Sequence, residues 1–319
     1  MLQTIYINKE IITMNNLQNL IKNYLSYCQH QKQLDPKTTK AYRIDLTQFS
    51  DAITTENVHE ITLTILEEHI SQLHKKYKTK TVKRKLASIR AFFHYLEYKE
   101  IIEYNPFHKM QIRFREPFTL PKIIPLHTVE TFLSTIYQQH SLAKTEHQKK
   151  RTLRDIAVME LLFATGMRIS ELCTLKPNDI NFYDKTVLIY GKGAKERRLQ
   201  IGNDDIIEIL KKYKDIYHNE ISNSQHFFAT SSNNALSDQS VRRMINKYVN
   251  LASIDMHITP HMFRHTFATS LLEADVDIRY IQEMLGHSSI NVTEIYTHVA
   301  LSKQREILTT KHPRNKFHI

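Results

Sequence analysis

All five glycines of this 319-residue chain, Gly166, Gly191, Gly193, Gly202 and Gly286, fall in its second half. Glycine supplies the positive φ that tight turns and hairpins demand, so a first half without any glycine is poorly equipped for sheets. Helices are the remaining solution. Apolar residues recur there at helical spacing over Leu17 to His30, Lys37 to Ile53, Thr64 to Lys76 and Thr79 to Tyr98, with Asp35-Pro36 and Thr79 as helix starts. The spacing predicts a four-helix N-terminal domain.

The length suits two domains if about 150 residues make one. From about Glu103 to Pro125 the chain carries Pro106, Pro117, Pro121 and Pro125 among basic residues, a composition that resists helix and suits an extended connector. The boundaries that follow are an N-terminal extension over 1–13, a helical domain over 14–104, a linker over 105–123 and a second domain over 124–319. In the second domain helical patterns resume near Leu126, pause over the polar segment Gln138 to Lys150, and continue from Arg154 to Ala164. Lys185 to Tyr190 and Arg197 to Ile201 read as two strands joined by the turn that holds Gly191 and Gly193. The expected fold class is mainly α: a four-helix domain, then a mostly helical domain with a small antiparallel β-sheet.

Lys and Arg number 44 against 33 Asp and Glu, a formal charge of +11, which favours a polyanionic partner such as nucleic acid. No run of about 18 apolar residues is present to cross a bilayer, and the start MLQTIYINKEIITM lacks a signal peptide's apolar core. The expectation is a soluble, cytoplasmic protein. Cys28 and Cys173 show no metal-type spacing and read as buried free thiols of a reducing compartment. Between Glu68 and Glu97 there is no acidic residue, while Lys75, Lys76, Lys78, Lys80, Lys83, Arg84, Lys85 and Arg90 crowd the interval. A solvated helix face usually mixes its signs, so this one is expected to meet a DNA backbone. Ile89, Phe92, Phe93 and Tyr95, interleaved with it, are expected in the core.

Four segments carry candidate chemistry. In Thr259-Pro-His-Met-Phe-Arg-His-Thr, Thr259 suits an N-cap and Pro260 a first helical position. His261 and Arg264 then share one face near a helix N-terminus that favours an anion, while Phe263 and Phe267 turn towards a core. Arg offers a planar fork of donors and His can move a proton near neutral pH, so a phosphate fits the pair. A rival reading takes His257, His261 and His265 as a zinc-binding helix. The acidic base of such helices is missing, Arg264 would repel the cation, and 18 histidines make chance spacings common. In the second segment Gly286 suits a helix C-cap, His287 follows, Ser289 can cap the next helix, and that helix carries Tyr296. Tyrosine is a poor nucleophile at its free pKa, and neighbouring His and Arg groups would supply the charge and proton acceptor it needs. Third, Arg168 stands at a helix–helix junction just after Gly166. Fourth, Lys192 lies between Gly191 and Gly193 in the turn of the hairpin.

Together these segments resemble the tyrosine recombinase family, the phage-integrase-type site-specific recombinases, and most closely its short Xer-like members. The resemblance rests on Arg168, Lys192, His261, Arg264, His287 and Tyr296 in that order, within the words A-T-G-M-R-I-S-E-L, G-K-G-A-K-E-R, H-M-F-R-H-T-F-A-T and L-G-H-S-S-I. It spans essentially the whole chain, the N-terminal half resembling the family's SAM-like core-binding domain. It implies that Arg168 and Arg264 clamp the scissile phosphate and that Tyr296 attacks phosphorus. Lys192 would protonate the leaving 5′-oxygen, His261 would assist proton transfer at Tyr296, His287 would hydrogen-bond the phosphate, and Glu171 would support the Arg168 loop. The resemblance further implies a 3′-phosphotyrosyl intermediate, exchange through a four-way junction, no cofactor, no metal and no ATP. The implied assembly is a homo-tetramer on paired double-stranded DNA sites, a dimer on each, with Leu301 to Leu308 as a helix that packs on a neighbouring subunit.

Two departures stand out: the residues before Met14, an extension or the product of an upstream start codon, and the polar loop 138–150. Two competing classes are a catalytically silent DNA-binding protein on the same scaffold, disfavoured by the intact six-residue set, and a relaxing enzyme of the type IB topoisomerase kind, disfavoured by size and motif wording. The sequence leaves open the DNA target, the accessory proteins, and the choice between chromosome dimer resolution and mobile-element movement.

Overall fold

The computed structural model describes residues 16–112, 114, 122–191 and 196–286, and the chain divides into two compact units, Met1–Phe118 and Thr119–Ile319. Lys192, His287 and Tyr296 therefore lie outside the described residues, as do 1–15, Ser289 and the expected helix 301–308.

The first unit is built on α1 (Leu17–His30), α2 (Pro36–Ala52), α3 (Leu63–Lys76) and α4 (Thr79–Tyr98). Local capping explains where they start. Asn16, Asp35 and Thr62 each accept a backbone N–H from the first turn of the helix that follows, and Pro36 takes a position where its missing N–H costs nothing. Each helix turns an apolar stripe inwards: Leu17, Leu20, Tyr24 and Cys28 from α1; Leu46 and Phe49 from α2; Leu66, Ile70 and Leu73 from α3; Val82, Leu86, Ile89, Phe92, Phe93 and Leu96 from α4. Tyr95 packs against this core from its edge. Phe49 meets Phe93 edge-on at 6.3 Å, a favoured aromatic geometry.

The connector begins later than the prolines suggested. Asn105 caps a short 3-10 turn, Pro106–Lys109, and Phe107 and Met110 beyond it are buried in the first unit's core. A proline at the head of such a turn fixes φ without losing a needed donor, so Pro106 here starts structure instead of preventing it.

The basic stretch on α3 and α4 also needs a correction. Lys75, Lys76, Lys78, Lys80, Lys83, Arg84 and Arg90 are exposed, but Lys85 is buried. Its ammonium donates to Asp45 Oδ1 at 3.1 Å and to Gln48, and it lies 5.0 Å from the Tyr77 ring centroid. Arg84 and Ser88 share the same Asp45 carboxylate. Lys85 thus neutralises an internal charge and is withdrawn from the expected DNA-facing set. Asp45→Ala would leave that buried ammonium without its carboxylate, so the first unit is expected to lose about 3–5 kcal/mol in urea unfolding, as for other buried pairs broken on one side. A loss below about 1 kcal/mol, the value of an exposed pair, would contradict this.

The second unit is arranged around α6 (Glu146–Thr165), whose consecutive buried residues Ile156, Ala157, Val158 and Met159 mark a helix surrounded by others. It packs against α5 (Leu126–Ser141), α7 (Ile169–Thr174), α8 (Asp204–Ile216) and α11 (Pro260–Glu273). The predicted polar break before α6 shrinks to a few residues. Thr145 accepts from Gln148 N while the Gln148 side chain accepts from Thr145 N, so a capping box starts the helix well before Arg154. The expected hairpin is β2 (Thr186–Tyr190) with β3 (Glu196–Gln200), in register Val187 opposite Leu199 and Ile189 opposite Arg197. A two-residue strand that the sequence did not signal, β1 (Ile180–Asn181), adds antiparallel to β2. After α8 come α9 (His218–Ser224) and α10 (Asp238–Leu251), and beyond α11 lies α12 (Ile278–Leu285). Both cysteines are buried.

Candidate active site

Two left-handed glycines set the site. Gly166, with φ +56°, ends α6, and the chain then turns so that Arg168 becomes the residue immediately before α7. A side chain at Gly166 would place its Cβ 2.5 Å from the Phe267 ring, so α11 packs directly on this backbone. Gly286, with φ +64°, ends α12 in the same way.

α11 begins at Pro260 as expected, although the Thr259 side chain makes no capping hydrogen bond. Phe263 is buried and Phe267 half-buried, and Ile124 N donates to Thr266 Oγ1 at 2.8 Å, tying the start of the unit to this helix. Arg264, on the face expected to carry function, is buried with 5% of its surface exposed. Its Nη1 donates to Gly166 O at 2.8 Å and its Nη2 to Leu285 O at 2.6 Å. The guanidinium therefore joins the two helix ends that the glycines terminate, taking up carbonyls that a helix C-terminus leaves without partners.

Arg168 is the second guanidinium. Its side chain is one-third exposed, and Nη1 donates to Glu171 Oε1 at 2.8 Å while its own backbone N–H reaches Glu171 Oε2 at 2.8 Å. Burial alone would raise the Glu171 carboxyl's pKa, but hydrogen bonds from Arg197 and Arg168 outweigh it and hold the group below the usual carboxylate range. Glu171 is thus an anion that orients Arg168, in the supporting place expected for it.

His261 identifies what converges here. His261 is exposed at the surface of α11, yet desolvation of its ring, and then the positive charges of Arg242, Arg264 and Arg168, push its pKa below the usual imidazole range. His265 is lowered likewise, by burial and then by His261 and Arg264. For both, the unfolded chain binds protons more readily than the folded one, so their contribution destabilises the fold as pH falls through the ordinary imidazole range. His261 and Arg264 stand one turn apart on α11, and Arg168, distant in sequence, adds its positive charge to theirs. Arg242, on α10, joins them without any sequence signal that could have marked it. Arg197 was visible only as a letter in G-K-G-A-K-E-R. Among the described residues no group of three or more His, Cys, Asp or Glu is placed to hold a metal ion, and no described helix is long and apolar enough to cross a membrane.

Guanidinium groups beside an imidazole, on a helical unit with a small antiparallel sheet, make a positively charged site of the kind an anion suits. Comparison with known proteins places that class. Residues 135–303 match the phage integrase family, and residues 21–100 match the phage integrase N-terminal SAM-like domain. A tyrosine recombinase of Agathobacter rectalis is 65% identical over 305 residues, 96% of this chain and 100% of that protein. Tyrosine recombinase XerC of Oceanobacillus iheyensis is 33% identical, covering 94% and 98%. The solved XerH site-specific recombinase, bound to a palindromic difH substrate after cleavage, superposes with a TM-score of 0.72 at 22% identity, over 89% of this chain and 83% of XerH. The chain belongs to the phage integrase family as a Xer-like tyrosine recombinase, an enzyme of site-specific DNA recombination.

Proposed function

We propose that the chain cleaves and rejoins DNA strands through a covalent bond between the Tyr296 phenolic oxygen and a 3′-phosphate. What supports the reading is the convergence of Arg168 and Arg264 on His261, with Lys192, His287 and Tyr296 following the family's order in the sequence. Arg168 and Arg264 hold the non-bridging oxygens of the scissile phosphate and stabilise the charge that grows on them in the pentacoordinate transition state. The Tyr296 oxygen forms its bond to phosphorus as the bond from phosphorus to the 5′-oxygen breaks. The phenolic proton passes towards the neutral imidazole of His261, while Lys192 delivers a proton to the departing 5′-oxygen. His287 hydrogen-bonds the phosphate. Side chains supply both the charge neutralisation and the proton transfers, so the step calls on no metal. The phosphotyrosyl ester retains the energy of the broken phosphodiester, and a 5′-hydroxyl from a second strand reverses the step without ATP.

Strand exchange then passes through a four-way junction held by a tetramer, two subunits on each of two paired sites. The palindromic substrate of XerH fits a two-fold pair of subunits on one site. Around each site the units divide the work. The domain over 14–104 lays Lys75, Lys76, Lys78, Lys80, Lys83, Arg84 and Arg90 along the phosphate backbone, and the unit over 124–319 carries the chemistry. The setting is the cytoplasm, and the biological outcome is resolution of chromosome dimers or movement of a mobile element.

Incubation with a nicked duplex, chosen from a randomised pool by binding to the chain, tests the proposal. A covalent protein–DNA complex that survives denaturant is expected, and its absence would refute the reading. A second test uses His261. A phosphate seated among the guanidinium groups offsets the charge that depresses the imidazole, so DNA binding should raise its pKa and take up protons on the acid side of neutrality. Calorimetry in two buffers of different ionisation enthalpy should show this uptake in the parent chain and its loss in His261→Gln. Equal uptake in both would remove His261 from the phosphate site.

A further inference from the structure

Hydrogen bonds and two short stretches of backbone link the two arginines assigned to the phosphate into one circuit. Arg168 donates to Glu171. Glu171 also receives both Nη groups of Arg197, Nη1 to Oε1 at 3.1 Å and Nη2 to Oε2 at 2.7 Å. Arg197 Nε donates to Met284 O at 2.7 Å, one of the last carbonyls of α12. The next carbonyl, Leu285 O, accepts from Arg264, whose other Nη reaches Gly166 O two positions before Arg168. The Arg197 side chain is 8% exposed, and a Cβ at Gly286 would come within 3.0 Å of its Nη1. The positive φ and the missing side chain at Gly286 thus admit this guanidinium to the end of α12.

We propose that Arg197 is a positioning residue for strand cleavage: by sharing the Glu171 carboxylate and clasping the end of α12, it keeps the Arg168 charge available to the scissile phosphate and fixes Arg168 relative to Arg264. The inference rests on the phosphate-clamp reading of those two arginines. Charge balance carries it. Glu171 and Arg168 alone would form a neutral pair, and a carboxylate so placed would compete with phosphate for the same donors. With Arg197 bound to the same carboxylate in bidentate fashion, two guanidinium groups face one carboxylate and a full positive charge remains. The bonds to Met284 and Leu285 align the end of α12, and β3, which carries Arg197, pairs along its length with β2. The sheet, α7 and α12 therefore meet through one side chain, and α11 joins the same end of α12 through Arg264.

The test compares the full-length parent with Arg197→Met and Arg197→Lys on the selected nicked duplex, measuring the single-turnover rate of covalent complex formation, DNA affinity and thermal melting. A second duplex carries a methylphosphonate at the scissile position, which removes the negative charge that Arg168 would hold. Arg197→Met should slow cleavage of the ordinary duplex about 10–100-fold, the usual scale for groups that orient a reactive residue, with DNA affinity unchanged. The deficit should shrink on the methylphosphonate. Arg197→Lys keeps the charge but loses the fork, and should fall between the two. Should Arg197→Met melt below the assay temperature, Arg197→Lys decides alone: slower than the parent on the phosphodiester and level with it on the methylphosphonate. Parent-like rates in both variants, or an equal deficit on both duplexes, would overturn the proposal while leaving the strand-cleavage reading intact. A parent chain that forms no complex would overturn that reading and this inference together.

Discussion

Tyr296→Phe should bind DNA as tightly as the parent chain and form no covalent complex with it. The substitution deletes one hydroxyl, the atom assigned to attack phosphorus, and keeps the ring. The chain contains 16 tyrosines, so the specificity of the loss matters. Tyr213 is buried, its hydroxyl donating to Phe227 O at 3.1 Å, and Tyr248 is buried with its hydroxyl on Asp155 Oδ2 at 2.8 Å. Phe at either position should lower stability and leave covalent attachment in the folded fraction. A residual complex in Tyr296→Phe, or loss of DNA binding together with attachment, would give Tyr296 a structural role instead. The readout is gel separation of denatured complexes beside equilibrium binding.

The second large effect is expected at Arg264. Each well-placed donor to a developing oxyanion is worth about 3 kcal/mol or more, so Arg264→Ala should slow cleavage by several orders of magnitude. The same residue braces the fold through Gly166 O and Leu285 O. Alanine would leave two carbonyls without these partners and a void under α11, adding a stability loss of about 1–3 kcal/mol. Arg264→Lys separates the two roles. It keeps a cation and loses the rigid fork, so melting should recover more than the cleavage rate does. Single-turnover rates referred to the folded fraction measure the difference, and a rate near the parent's in either variant would count against the clamp.

Much of this architecture can be read from the chain because its causes are local. Asp35-Pro36 starts α2, Gly166 and Gly286 end helices through positive φ, and the apolar stripe of α4 sets its inner face. The errors have the opposite origin. Lys85 stood in an unbroken basic run, and nothing near it in sequence shows that Asp45 comes across from α2 to claim its charge. β1 has two residues, too few for any alternation to register. The prolines before the second unit suggested an extended linker, yet Pro106 opens a turn that delivers Phe107 to the first core.

The site divides along the same line. His261 and Arg264 sit one turn apart on one helix and Arg168 beside a glycine, features a sequence displays directly. The bond from Arg197 to Glu171 and the approach of Arg242 to His261 depend on how α7, α10, α11 and the sheet pack, and only coordinates reveal them. Because helix ends carry unpartnered carbonyls, the buried Arg264 and Arg197 find structural work at the end of α12. The same side chains thereby stabilise the second unit and, under the proposed function, prepare it for a phosphate.

Protease digestion of the covalent complex, followed by mass spectrometry of the DNA-bearing peptide, tests the central claim most directly. The account predicts one modified peptide, containing Tyr296, joined through its phenolic oxygen to the 3′-phosphate of the cut strand and releasing a free 5′-hydroxyl. Attachment through any other residue, or to the 5′ end of the break, would contradict it.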